Sequence, residues 1–461
     1  MKTYQDMMAA GADEKSRIAF AISAISAHKA SEEFKIATEA ALYAKKKNVT
    51  INRCEKYIYA MSGKKVADEY SANHKCASGY FKRFVTQQVQ YLLGNGVKFT
   101  KDDTKDRLGK NFDTKLQSAA RDALVGGCSF GFMNYDHVDV FALTEFVPLW
   151  DEETGGLRAG IRFWQLESDK PLRFTVYEED GYTDYIRRKD KEAEPIGEKK
   201  PYIKTEAVSK FDETEIVDGR NYGRFPIVPF WGNKDKQSEL VGIREGIDCY
   251  DLIKSGFAND LEDAATFYWT LENCGGMQDK DLAKFINRIR TVKAAVVDGD
   301  EGARATAHTM EIPYNARETA LARIERDLYA DYMALNVASI AASSVTATQI
   351  LAAYEPLDEK ADDWEYNVIE FIQGLLAVLD IEDDPSFTRS KIVNQSEEVD
   401  KVLAAAQYLD DEFIIKRLCS IFGCPDEAEG IIKRRDAEET RRFDPMDVDE
   451  GGDDDDGGQS A

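Results

Sequence analysis

Residues 240–268 read LVGIREGIDCYDLIKSGFANDLEDAATFY, and their apolar members recur at steps of three or four: Leu240, Ile243, Ile247, Tyr250, Ile253, Phe257, Leu261, Ala264 and Tyr268. That spacing is the period of one helical face. Between them stand Glu245, Asp248, Asp251, Asn259, Asp260 and Glu262. At about 1.5 Å per residue the helix runs on the order of 40 Å, a strut rather than a common three-turn helix. A second strut carries Leu321, Ile324, Leu328, Tyr332 and Leu335 on one face, with Arg317, Glu318, Arg323, Glu325, Arg326, Asp327 and Asp331 on the others. Mixed charge of this kind ordinarily marks a solvated surface.

Between the struts, residues 279–290 read as a short helix and 291–297 as a strand. The turn signal Asp298-Gly299-Asp300 follows, and a second extended segment reaches Pro313. A small α/β insert therefore separates the two struts. After the second comes the run from Ala338 to Thr348, uncharged in a chain that is 31% charged. A third helix then carries Ile350, Tyr354, Leu357, Ala361, Trp364, Val368, Phe371 and Leu375. Pro356 lies inside it, lacks a backbone donor and predicts a bend.

The whole chain has 461 residues, 43% hydrophobic, which is enough for real cores and for several domains. Its net charge of −25 excludes a broad phosphate-neutralising surface, and so a tight DNA binder. A chain that guides DNA without holding it is compatible with that charge. Cys54, Cys76, Cys128, Cys249, Cys274, Cys419 and Cys424 are odd in number and scattered, the pattern of free thiols in a reducing compartment. The apolar run Ile18–Ala27 imitates a secretion signal. Asp13 and Glu14 before it, and a helical pattern that resumes with Phe34, Ala37 and Ala41, predict a helix and a protein without membrane spans.

Taken in order, residues 1 to about 70 predict peripheral helices. The lysines at Lys45-Lys46-Lys47 and Lys64-Lys65 are read as solvated surface. Residues 74–97 predict one amphipathic helix closed by Gly94-Asn95-Gly96. After a further helix at 113–124, alternating runs at 138–148, 160–165 and 172–177 predict a mostly antiparallel sheet. The two prolines of Arg224-Phe225-Pro226-Ile227-Val228-Pro229-Phe230 suit an edge strand. Short helices are expected at 399–406 and 413–421, a last helix at about 426–442, and then an acidic, disordered tail.

Catalytic motifs find no match. The four histidines His28, His74, His137 and His308 form no metal-binding pair, and Gly126-Gly127-Cys128-Ser129-Phe130-Gly131 lacks the ending of a phosphate loop. The pairs Asp362-Asp363 and Asp383-Asp384 suit helix caps or solvent, with magnesium ligation as the alternative. No catalytic residue, metal or cofactor is expected.

Three stretches resemble the phage portal proteins of the SPP1-like family. Val89-Gln90-Tyr91-Leu92-Leu93-Gly94-Asn95-Gly96-Val97 is similar to the family's Tyr-Leu-x-Gly signature. Phe225-Pro226-Ile227-Val228-Pro229-Phe230, with Trp231, Gly232 and Asn233 departing from the commonest form, is similar to the run before its first stem helix. Tyr354-Glu355-Pro356-Leu357-Asp358-Glu359-Lys360-Ala361 is similar to the start of its tunnel-lining helix.

The resemblance implies an α+β portal fold. An α/β wing would span residues 1–236, its first 73 mainly helical. Stem helices would occupy 237–270 and 314–337, the clip 271–313, the tunnel loop 338–348, the kinked tunnel helix 349–396, a helical crown 397–442 and the acidic tail 443–461. It implies a ring, expected to be a dodecamer, at one capsid vertex of the virion. Double-stranded DNA would pass through it without sequence specificity. Partners would be the terminase large subunit, a head-completion adaptor, the scaffold and the major capsid protein, with assembly in the host cytoplasm.

Residue by residue, Ser339, Ala342, Ser343, Ser344, Val345 and Thr346 would face DNA; the alternative for the same run is an ordinary helix connection with Thr346 or Ser344 as N-cap. Lys284, Arg288, Arg290 and Lys293 in the clip would meet terminase or adaptor, or simply water. Ile253, Phe257, Leu261, Ile324 and Leu328 would form the stem interface between subunits, since a strut with one apolar face needs neighbours. The alternatives are a metal-dependent nucleic-acid enzyme built on the acidic pairs, and a cellular scaffold of long helices.

Overall fold

The computed structural model describes residues 2–443 except 12, 60–62, 69–70, 190, 209–213, 265–267, 273–277, 293–303, 309–312, 342–346, 391–394 and 425–426. The chain divides into two units, Met1–Ser390 and Lys391–Ala461.

The first unit opens with α1 (Tyr4–Ala9), α2 (Glu14–Ala30), α3 (Glu32–Ala44) and α4 (Val49–Arg53). Side chains of Thr3, Asp13 and Ser31 cap the first three, supplying the acceptors that a helix start lacks. These helices are not peripheral. Phe20, Ala21, Ala24 and Ile25 of α2 share a core cluster with Val147, Leu149, Ile161 and Phe174 of the sheet below. His28 is buried and its Nε2 lies 2.8 Å from the Leu143 carbonyl, with burial pushing its pKa down. The apolar face was legible in the sequence, but not the sheet it covers.

A hairpin of β1 (Tyr57–Tyr59) and β2 (Lys65–Ala67) follows where only helix was expected. Then come α5 (Tyr80–Leu93), β3 (Val97–Lys98), α6 (Thr104–Leu108) and α7 (Phe112–Gly126). The predicted helix from His74 starts only at Tyr80, because the backbone N–H groups of His74, Cys76 and Ser78 are taken by side chains of another helix. Gly96, at φ +73°, takes the left-handed turn after α5.

Ten strands build the sheets that follow: β4 (Cys128–Asn134), β5 (His137–Ala142), β6 (Phe146–Trp150), β7 (Leu157–Trp164), β8 (Leu172–Glu178), β9 (Gly181–Arg187), β10 (Ala193–Pro195), β11 (Ile203–Val208), β12 (Thr214–Arg220) and β13 (Ile227–Trp231). They pair antiparallel in the orders β10-β9-β8-β7-β6, β13-β4-β5 and β11-β12. Pro148 and Pro229 stand on the edge strands β6 and β13, where a missing N–H costs no ladder bond.

The first strut is α8 (Arg244–Ala264), shorter than expected. Tyr268 belongs to strand β14 (Tyr268–Glu272), as suits the aromatic and β-branched run Tyr268-Trp269-Thr270. The insert continues with α9 (Asp279–Val292) and β15 (Arg304–His308), the latter pairing antiparallel with β14. Thr291 and Val292, expected in a strand, end α9. Next come α10 (Tyr314–Tyr332), α11 (Val337–Ala341), α12 (Ala347–Val378) and β16 (Ser386–Phe387). The second strut stops at Met333, in the left-handed region at φ +61°. Pro356 lies inside α12. The main core gathers Phe84 and Leu92 of α5, Leu116 and Ala120 of α7, Phe230 of β13, and Val368, Phe371 and Leu375 of α12.

The second unit holds α13 (Gln395–Ala405), α14 (Asp411–Ile421) and α15 (Ala428–Phe443). Asp410 caps α14. The acidic tail lies outside the described residues.

Candidate functional site

The long helices α8 and α10 touch where Gly246 leaves room. A Cβ there would stand 2.8 Å from Leu328 Cδ2. Farther along, the Phe257 ring meets Tyr314 at 5.6 Å, and Arg317 pairs with Asp260. Leu328 is 1% exposed within the single chain, so its burial needs no neighbouring subunit. The room for it is made by the glycine opposite. Ile253, Phe257 and Ile324 are half-buried, while Leu261 is exposed.

The polar side of α8 is occupied as well. Ser78 N donates to Asp251 at 2.8 Å, Cys76 N to Ser255 Oγ at 2.9 Å and His74 N to Asn259 at 2.6 Å. Every second residue of an extended chain and every fourth residue of a helix advance by a similar 6–7 Å, so the two ladders match. Asn48 Nδ2 also donates to Asp251, and Tyr43 and Thr50 hydroxyls donate to Asp248 at 2.5 and 2.6 Å. Asp251 is fully buried, which pushes its pKa up against the pull of these bonds.

At the far end of α10, helix α5 acts as a clamp. Gln87 makes two bonds to the Leu335 backbone, donating to its carbonyl at 3.0 Å and accepting from its N–H at 3.1 Å. Gln88 accepts from the Tyr332 hydroxyl at 2.8 Å, and Arg83 donates to the Tyr329 hydroxyl at 2.6 Å.

The start of α12 is held by the same neighbourhood. Tyr354 stacks on Tyr91 at 5.9 Å, and the Tyr91 hydroxyl donates to Asp358 at 2.5 Å. Leu357 and Ala361 are buried one turn apart on the same face. Lys360 pairs with Glu239 at 2.6 Å, donates to the Tyr332 carbonyl at 3.1 Å and lies over the Tyr332 ring at 3.4 Å. Burial lowers the Lys360 pKa while Glu239 opposes that shift. Asn233 in turn holds Glu239 and the Gln237 backbone through bonds of 2.9 to 3.1 Å. Arg389 closes the group by pairing with Asp358, Asp362 and Glu365 on α12.

Three stretches distant in sequence thus meet at one junction: Tyr91 of the first, Asn233 beside the second, and Tyr354, Asp358 and Lys360 of the third. From it the chain leaves α10 and returns into α12. Ser339 belongs to α11, whereas Ala342, Ser343, Ser344, Val345 and Thr346 lie outside the described residues. In the insert, Lys284 and Arg288 are exposed, with Asp281 3.4 Å from Lys284. Arg290 lies within α9, and Lys293 is outside the described residues.

The acidic pairs have other work. Asp362 and Asp363 turn to different bases, Arg389 and Lys234. Asp383 accepts from the Thr104 hydroxyl and the backbone N–H groups of Thr100 and Lys101, which hold its pKa down to about 2.

The family model described as phage portal protein, SPP1 Gp6-like, matches residues 24–441. The chain belongs to that family. It is 24% identical over 379 residues to the portal protein of Clostridium phage phiCD119, covering 75% of this chain and 81% of that one. To the portal protein of Bacillus phage SPP1 it is 23% identical over 332 residues, covering 68% of this chain and 63% of the other. Phage portal proteins are structural virion components that form oligomeric rings. Among the described residues no helix is long and apolar enough to cross a membrane.

Family membership gives the junction its significance. The stretches that carried the resemblance are the ones that lock α5, α10 and α12 together. Sequence reading missed Gln87, Gln88 and Arg389, and the one signal available was a pair of amides inside the apolar pattern of α5.

Proposed function

We propose that the chain is one subunit of a ring, about twelve in number as in its family, set at one capsid vertex, through which phage DNA is packaged and later ejected. In this reading α8 and α10 form the stem and the β14–α9–β15 insert the clip that meets the terminase large subunit and the head-completion adaptor. Residues 338–348 form the tunnel loop, α12 lines the channel and α13–α15 form the crown. Scaffold and major capsid protein surround the ring. The observation that supports this reading is the junction itself. It anchors both flanks of the small, uncharged 338–348 segment, so the segment can project from a rigid base. An acidic wall made of many copies repels phosphate, and small side chains touch DNA without binding it.

Native mass spectrometry with negative-stain imaging, on the chain alone and with its scaffold, tests the ring. Closed rings of about a dozen subunits with a central hole are expected. Monomers or dimers under both conditions would overturn the reading, the more so if the sample cleaved DNA with magnesium. A bulky or charged residue at Ser343 or Ser344 should leave rings intact and impair packaging. Normal genome filling in that variant would remove the tunnel-loop assignment.

A further inference from the structure

A loop and a cavity at different places in the first unit complement each other. Between β7 and β8 the chain makes a turn in which Lys170 N donates to the Glu167 carbonyl at 3.0 Å, and Gln165 Nε2 donates to the Lys170 carbonyl at 2.9 Å. These bonds fix the loop's shape in advance, which lowers the entropy lost on docking. At its tip Leu166 is 86% exposed, and Trp164 beside it is also exposed. Glu167 and Asp169 follow the leucine, with Lys170 3.6 Å from Asp169.

Between α3, β4, β6 and β13 lies a cavity of about 270 Å³ walled by Cys128, Phe130, Leu143, Pro148, Trp150 and Trp231. The two tryptophans stack at 5.6 Å and 19°. Lys236, held in the left-handed region at φ +57°, places its ammonium 4.6 Å from the Trp231 ring centre, and Glu33 also reaches the lining. Among the described residues no carboxylate forms an ion pair with Lys236.

The loop does not fill the cavity of its own chain, where Leu166 stays 86% exposed. An apolar knob and a matching pocket at different places on one molecule make a head-to-tail contact, which closes into a ring when the rotation permits.

We propose that Leu166 of one subunit seats in the cavity beside Trp150 and Trp231 of the next, with Glu167 or Asp169 facing Lys236. The occupant is a second copy of this chain. The contact rests on the ring reading above and adds to it a named wing-to-wing docking surface.

The test uses the full chain carrying a benzophenone amino acid at position 166, irradiated in assembled rings, with cross-linked peptides mapped by mass spectrometry. Cross-links between subunits onto residues 126–150 or 231–238 are expected. Cross-links that fall elsewhere, or stay within one chain, overturn the docking. Leu166→Asp should raise the concentration at which rings dissociate roughly tenfold or more, as loss of a central apolar anchor does, while Leu166→Met changes it little. Neither should alter subunit melting, because the side chain is exposed in its own chain. Rings of Leu166→Asp as tight as the unmodified ones also overturn it. Rings that form with cross-links elsewhere sink this contact alone, whereas an unmodified chain that makes no ring sinks the ring reading with it.

Discussion

Helices α8 and α10 look alike in sequence and behave as opposites in the fold. Both run about five to six turns with an apolar stripe and charges on the remaining faces. Along the middle of α10, beyond Arg317, those charges meet water. Arg323 and Arg326 stand 3.7 and 3.8 Å from Asp327, with all three side chains more than half exposed. On α8 the polar stripe Asp251, Ser255 and Asn259 is buried and binds the backbone of residues 74–78. The difference lies in what arrives. A bare extended segment brings N–H donors that must be satisfied, and a helix face of acids, hydroxyls and amides supplies acceptors at the right repeat.

The largest test of this contrast falls where the two helices meet. Leu328→Asp places an unpaired charge against Gly246 inside the chain and should destabilise the subunit by about 4 kcal/mol. Urea unfolding of the isolated subunit measures it. A variant that unfolds like the parent and fails only to assemble would return Leu328 to the surface between subunits. Next in size, Asp251→Ala strands the Ser78 N–H and the Asn48 amide and should cost about 2–3 kcal/mol. Hydrogen exchange at the Ser78 amide should quicken in step. An unchanged exchange rate there would mean that α8 does not hold the segment.

What was legible in the sequence was local. The helical period of α5, α8, α10 and α12, the alternation in β7 and β8, and the edge proline Pro229 are each written within a few residues. What was hidden depends on distant partners. Residues 74–78 contain no helix breaker, yet they run extended because Asp251, Ser255 and Asn259 await them. Ile18, Ile22 and Ile25 show an apolar face without showing that a sheet lies under it or that Ala21 and Ala24 sit deepest against it.

The candidate site divides the same way. Tyr354, Asp358 and Lys360 were found through the resemblance, whose spacing follows from one helix face meeting Tyr91 and Glu239. Gln87 and Arg389 were not, since an amide that grips a backbone well over two hundred residues away carries no local mark.

A smaller effect separates burial from bonding at Asp251. Burial raises its pKa in the fold, so its contribution to stability is full below the ordinary carboxylate pKa of about 4 and is lost as pH rises through the folded value. Asp251→Asn should therefore gain on the parent in melting temperature between pH 4 and 7. A gap that moves the other way would show that the two bonds to the carboxylate outweigh its desolvation.

The smallest effect belongs to α10. Asp327→Ala removes the partner of two arginines, but each pair is exposed and longer than 3.5 Å, and such pairs are worth about 0–1 kcal/mol. The expected change in subunit stability is roughly 0.5 kcal/mol or less, fading further in salt. The measurement is informative because the change is chemically the same as in Asp251→Ala, aspartate to alanine on a long helix. Equal losses at the two sites would erase the contrast between the helices. A loss at Asp327 seen only in assembled rings would instead place the outer face of α10 against a neighbouring subunit, where an exposed pair becomes a buried one.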